Sequence, residues 1–239
     1  LPRVAAVDLG STVTTHSFPV MGTVASWKTP QPPPRGLVAR VEQILHDADA
    51  RFSPFRADSE LCRMRRDPDH APSPDMVDVL AGARLVEVVT DGAFRTTDPG
   101  GRRETTGYVK GWAMRRVELA ARAAGCHNFL LSVGGDVVAG GTNGDRPWHV
   151  AVRHPALTAG VGQLLALQDG AVATSGDYER GRHIWGRRDE IRGGSVTVVG
   201  PRIDIADALA TALWAADGTP AWRGRFPQYG VLWLTADGT

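Results

Sequence analysis

The residues with the clearest chemical potential lie in Ile203–Asp217, IDIADALATALWAAD. Asp207 and Thr211 are four apart, so on a helix they sit one above the other. A carboxylate over a hydroxyl offers two hard oxygens to a cation such as Mg²⁺; the plainer alternative is an exposed Asp beside an ordinary helical Thr. Lys occurs only at 28 and 110 in a chain otherwise rich in Arg. Lys110 opens a helical stretch, where a lysine is ordinarily a solvated charge. His183 follows Ser175 in SGDYERGRH, but strand residues at that separation give no nucleophile–base geometry, and a His beside Ile184 is commonly structural. Val133–Asp136, VGGD, contains two glycines but belongs to no GxGxxG or Walker pattern, so it reads as a tight turn.

The elements that must position these residues follow from periodicity. His16–Lys28 reads as a strand interrupted at Met21-Gly22-Thr23, where Gly22 lets a ligand or another backbone come close. Pro30–Gly36 is a loop, and Leu37–Arg51 repeats apolar residues at helical spacing. Phe52–Leu61 is a turn in which Asp58 or Ser59 caps a short helix. Asp75–Thr90 is a second amphipathic helix ended by Asp91-Gly92, Arg95–Thr106 is polar and irregular, and Gly107–Gly125 is a further helix with Gly125 at its end. Strands follow at Asn128–Ser132, Asp136–Ala139, Trp148–Arg153, Gln163–Leu167, Ala171–Ser175, His183–Trp185, Ser195–Val199 and Tyr229–Thr235, with Asp169-Gly170 as a hairpin turn. The late helix at Ile203–Asp217 is amphipathic, with one face buried and Asp204 as its cap. Early helices, a run of strands and one late helix imply an α+β fold of antiparallel-rich sheets packed with helices. Residues 1–239 are expected to form one compact domain, whether a single body or two closely packed lobes.

Composition narrows the function classes. Of 239 residues, 42% are hydrophobic and 22% charged, with a formal net charge of +1, which argues against a nucleic-acid binder. Cys62 and Cys126 form neither a CxxC nor a disulfide framework and are expected as free thiols. No run has the length of a transmembrane helix. No signal peptide or lipobox cysteine is evident, which makes the cytoplasm the default; because the chain starts at Leu1 without Met, the compartment and any leader are left open, as is the oligomeric state.

Taken in order, MGT at Met21, FSPFRADSEL at Phe52, DGAF at Asp91, YVKGWA at Tyr108, VGGD, SGDYER, His183-Ile184 and ADALATAL at Ala206 form a series. It resembles the ApbE family, the FAD:protein FMN transferases or flavin transferases, from about Phe18 to Trp214. The resemblance implies an ApbE-like fold and Mg²⁺-dependent transfer of FMN from FAD to a Thr or Ser hydroxyl of an acceptor flavoprotein, with release of AMP. It implies Mg²⁺ ligands at Asp207, Thr211 and the carbonyl of Gly107, and FAD contacts at Met21, Phe55, Ala93, Phe94, Arg95, Glu104, Lys110 and Ile184. It implies His183 as catalytic base, acting with Lys110, Asp207 and Thr211. The chain departs from the family pattern at Phe55 (usually Tyr), Arg95 (usually Asp), Glu104 (usually Asp), the run after Ile184, and a shortened loop before Lys110. Two other functions fit the same resemblance: an FAD pyrophosphatase yielding FMN and AMP, and an FAD-binding protein without turnover.

Overall fold

The computed structural model describes residues 4–6, 13–154, 160–176, 194–216 and 219–235. The strand expected at His183–Trp185 lies outside the described residues. Ten strands are present among the described residues: β1 (Val4–Ala6), β2 (Thr14–Val20), β3 (Thr23–Thr29), β4 (Phe129–Val133), β5 (Asp136–Gly140), β6 (Trp148–Arg153), β7 (Val161–Leu167), β8 (Gly170–Gly176), β9 (Ser195–Gly200) and β10 (Gly230–Leu234). The α-helices among them are α1 (Leu37–Phe52), α2 (Glu60–Arg66), α3 (Pro74–Val89), α4 (Thr106–Ala123) and α5 (Ile203–Ala215).

Seven strands form one antiparallel sheet in the order β10-β9-β8-β5-β4-β3-β2, and β1-β6-β7 form a second. The central strands of the large sheet are buried on both faces. Phe129, Leu131 and Val133 of β4 point into a core shared with the helices, while Leu130 joins Val137, Ala139, Val150, Val152 and Val172 in a core against the small sheet. This period of two across a covered sheet explains why FLLSV is a nearly continuous apolar run rather than an alternating one. The layers are thus helices, seven-stranded sheet and three-stranded sheet, an α+β arrangement as expected.

One local expectation is sharpened and three are corrected. The strand at His16–Lys28 folds back on itself: Met21 and Gly22 take positive φ of 52° and 68°, forming a two-residue turn that pairs β2 with β3, the turn geometry whose twist matches flanking strands. Asp169-Gly170 is not a hairpin turn. The chain crosses there from the small sheet to the large one, because β7 pairs with β6 whereas β8 pairs with β5 and β9. The reason is burial: β8 hides residues on both faces and belongs inside the large sheet, while β7 keeps much of its length exposed at a sheet edge. The late helix is not amphipathic with one buried face. Ten of the thirteen residues of α5 are buried, since α4 covers one side and β8 and β9 the other. Its N-cap is Arg202, not Asp204, whose carboxylate lies in the first turn and accepts hydrogen bonds from the Arg202 guanidinium. An acid there still complements the positive end of the helix dipole.

Ser59 does cap α2, accepting from the Cys62 amide at 3.1 Å. Both cysteines are free thiols, and no described helix is long and apolar enough to cross a membrane. Helices α4 and α5 pack backbone against backbone. A Cβ on Gly111 would lie 2.8 Å from Asp204 Cα and 3.0 Å from the Ile203 carbonyl oxygen, so only glycine fits at the crossing. Gly111→Ala is therefore expected to push the helices apart and to cost about 1–3 kcal/mol by overpacking. Urea denaturation followed by circular dichroism measures this, and wild-type stability in the variant would show that the close approach is not required.

Candidate active site

Turns of the sheet, the start of α4 and the middle of α5 meet at one end of the large sheet. The Met21-Gly22 turn lies beside the Gly134-Gly135 turn: the Gly134 amide donates to the Val24 carbonyl, and a Cβ on Gly134 would lie 3.2 Å from Thr23 Cγ2. Gly134 and Gly135 take φ of 57° and 96° and join β4 to β5, so VGGD is the tight turn expected of it. Asp136 follows, on the face of β5 that looks towards the helices, and its Oδ1 accepts the Thr174 amide of β8 at 3.1 Å. Ser175, next along β8, places its Oγ 3.5 Å from Thr211 Oγ1.

The first two turns of α4 close the site. Glu104 accepts the amides of Thr105 and Thr106 at 2.9 and 2.8 Å and so satisfies two of the donors a helix start leaves open. A Cβ on Gly107 would lie 3.6 Å from Thr211 Cγ2 and 3.1 Å from Phe94 Cε2, so the Gly107 backbone stands against Thr211 with Phe94 beside it. One helical turn later, the Gly111 amide donates to Asp207 Oδ2 at 3.0 Å. Gly111 stands four residues, about one helical turn, after Gly107 on the same face of α4. Lys110 Nζ lies 3.4 Å from Asp207 Oδ1 and 2.6 Å from Asp136 Oδ2.

Gly107, Lys110, Asp207 and Thr211 are therefore together. Asp136 joins them, although the sequence pattern assigns it no role; the available signal is an acid placed directly after a two-glycine turn at the start of a strand. The outlying FAD-contact candidates are placed differently. Phe55 is 94% exposed, its ring in solvent on the turn before α2. Phe94 is 1% exposed and its ring stands against Gly107 at the start of α4, inside the protein. Ala93 is half-buried, Arg95 is exposed, and Met21 packs at the edge of the core in its turn. Glu104 is paired to Arg65 at 3.4 Å, and Arg65 also lines a cavity of about 530 Å³ with Leu80, Thr96, Thr97 and Arg103. His183 and Ile184 lie outside the described residues.

The electrostatics of the cluster are unbalanced. Asp136 is 1% exposed and Asp207 5%, and among the described residues of the cluster one ammonium faces two carboxylates, an excess of negative charge. Burial pushes the Asp207 carboxyl up to about 7; Lys110 opposes the shift, the neighbouring Asp136 adds to it, and the Gly111 amide opposes it. Among the described residues no three His, Cys, Asp or Glu side chains converge, and the donors here are carboxylate, hydroxyl and carbonyl oxygens. Such a set, with excess negative charge, fits a hard cation that takes few protein ligands and completes its shell with water and phosphate, as Mg²⁺ does.

A carboxyl whose folded pKa is raised stabilises the fold only while protonated, so metal-free protein loses this contribution as pH rises from the ordinary carboxyl range through about 7. Asp207→Asn removes the ionisation. In chelator-treated samples its melting temperature should gain on that of the wild type as pH rises from about 4 to about 7 and then keep a constant offset. Parallel melting curves across that range would show that Asp207 ionises without cost.

The ApbE family model matches residues 98–223, more than half of the chain. An FAD:protein FMN transferase of Rhodobacter capsulatus is 34% identical over 177 residues, which cover 67% of this chain and 34% of that protein. The chain thus spans about a third of that relative's length. The FAD:protein FMN transferase of Vibrio cholerae is 27% identical, with 82% of this chain and 79% of that one covered. Among solved structures, the flavin transferase ApbE from Vibrio cholerae superposes with a TM-score of 0.79 at 22% identity, covering 95% of this chain and 94% of that one. The ApbE protein of Thermotoga maritima gives 0.79 at 22% identity, covering 95% and 96%; these two likenesses concern the fold. With its family match running from the loop before α4 through α5, and with the cluster lying on those helices and the strands between them, the chain belongs to the ApbE family.

Proposed function

We propose that this protein transfers FMN from FAD to a Thr or Ser hydroxyl of an acceptor protein and releases AMP. The observation that carries the reading is the convergence of Gly107, Lys110, Asp207 and Thr211 on one spot in a chain of the ApbE family. The names of the curated relatives, FAD:protein FMN transferase, support it.

The reaction exchanges one phosphorus–oxygen bond for another. The acceptor hydroxyl oxygen attacks the phosphorus of the FMN half, the bond to the bridging oxygen breaks, and AMP carries that oxygen away. The hydroxyl proton needs a base, the role the family resemblance gives to His183. The carbonyl of Gly107, the carboxylate of Asp207 and the hydroxyl of Thr211 would hold Mg²⁺. When bound, the ion would supply positive charge to offset that of the pyrophosphate during cleavage. Lys110, beside Asp207, would add a positive charge to the same site. Phe55, exposed on its turn, offers a flat ring for stacking against an aromatic part of FAD. The arginine-walled cavity beside Glu104 has the polarity to accept part of an anionic dinucleotide.

Incubating the protein with FAD, Mg²⁺ and a peptide carrying an acceptor Thr should add the mass of an FMN group to the peptide and release AMP in equal amount. Asp207→Ala should lower the rate by roughly 100-fold or more, because a lost metal contact is worth several kcal/mol of transition-state stabilisation. FMN and AMP formed without any modified peptide would favour the pyrophosphatase reading. Tight FAD binding with neither product would favour a binding protein.

A further inference from the structure

We propose that Asp136 is a positioning residue of this site: it holds the Lys110 ammonium away from Asp207, so that the Asp207 carboxylate stays available to the cation. The inference rests on the cation-site reading of Gly107, Asp207 and Thr211 and assigns a role to a residue outside that set. Lys110 Nζ stands between two carboxylates but not midway, 2.6 Å from Asp136 Oδ2 and 3.4 Å from Asp207 Oδ1.

Both carboxylates are buried and each accepts one backbone amide. Asp136 is 1% exposed, begins β5 directly after the Gly134-Gly135 turn, and is pinned through Oδ1 by the Thr174 amide of the neighbouring strand. Asp207 has one oxygen committed to the Gly111 amide and presents the other, Oδ1, towards Lys110. The lysine ammonium is a compact charge on a flexible stem, with no directional demand that would choose between the two acids. The shorter approach to Asp136 shows which of the two acids it takes. The strand that anchors Asp136 also carries Ser175, which reaches Thr211 Oγ1, so the same piece of β8 aligns both the lysine tether and the second cation donor.

Without the charge on Asp136, Asp207 is the carboxylate left beside Lys110 among the described residues, and ammonium and metal compete for it. Asp136 acts through Lys110 rather than on the substrate. Such supporting partners of metal sites are commonly worth 10- to 100-fold in affinity.

The test is calorimetric titration of Mg²⁺ alone into chelator-stripped protein, with three variants. Asp136→Asn keeps the shape and the acceptor for the Thr174 amide, and should bind Mg²⁺ about tenfold more weakly. Adding Lys110→Met to Asp136→Asn removes the competitor and should restore wild-type Mg²⁺ affinity. Lys110→Met alone should bind Mg²⁺ at least as tightly as the wild type, a result that does not depend on how well the Asp136 variants fold. In turnover, the Asp136→Asn defect should shrink as Mg²⁺ is raised, which a general folding defect would not do. An Asp136→Asn protein with wild-type Mg²⁺ affinity, a double variant as weak as Asp136→Asn, or a Lys110→Met protein that binds more weakly than wild type would overturn the role of Asp136. Wild-type protein that takes up no Mg²⁺ would overturn the cation-site reading itself, and this inference with it.

Discussion

The site depends on the contact of α4 with α5 at Gly111. Because Gly111 has no side chain, the helices approach until backbone meets backbone, and the Gly111 amide reaches the carboxylate of Asp207. Any larger residue would separate the two helices and move Asp207 from Lys110, and Thr211 from Gly107, in one displacement. The chemistry-bearing residues are distributed over two helices, but their spacing is set at this single crossing. The Ala-rich sequence of α5 belongs to the same constraint, since small side chains let the helix sit between α4 and the sheet with ten residues buried.

The sheet supplies what the helices cannot. Strands alternate their side chains between two faces, so β5 can send Asp136 and Val138 towards the helices while Val137 and Ala139 fill the second core. β8 does the same, with Ser175 on the helix side. The turns at Met21-Gly22 and Gly134-Gly135 lie side by side at the end of the sheet nearest the cluster. Segments far apart along the chain are thereby delivered to one place.

This geometry explains what is legible from the chain alone. Helical spacing exposes α1, α3, α4 and α5, and the four-residue interval between Asp207 and Thr211 is readable because a helix converts interval into direction. The antiparallel-rich α+β class follows from the order of the elements. Pairing is less legible. Asp169-Gly170 has the composition of a hairpin turn, yet whether two strands pair is decided by which sheet buries each, and that information is tertiary. The burial of α5 on nearly all sides is hidden for a related reason, as its Ala residues are compatible with exposure or with close packing. Asp136 escapes notice because its turn has a complete local explanation; only the meeting of β5 with α4 gives its carboxylate a second task.

That second task bears on why the cluster can be buried at all. Taking charged groups out of water is expensive unless they are paired and hydrogen-bonded. Here the Gly111 and Thr174 amides and the Lys110 ammonium meet most of the demand, but among the described residues of the cluster two carboxylates share one lysine. The raised pKa of Asp207 expresses the remainder: without a further cation, part of its charge is relieved by a proton. A divalent ion bound by the Asp207, Thr211 and Gly107 oxygens would discharge the same imbalance while bringing in coordination positions for water and phosphate. The metal-free site is then a pocket of stored electrostatic demand, kept in shape by backbone amides whose positions are fixed by helix crossing and strand pairing. Specificity for the rest of the substrate would fall to the surrounding loops, where Phe55 and Arg95 lie exposed.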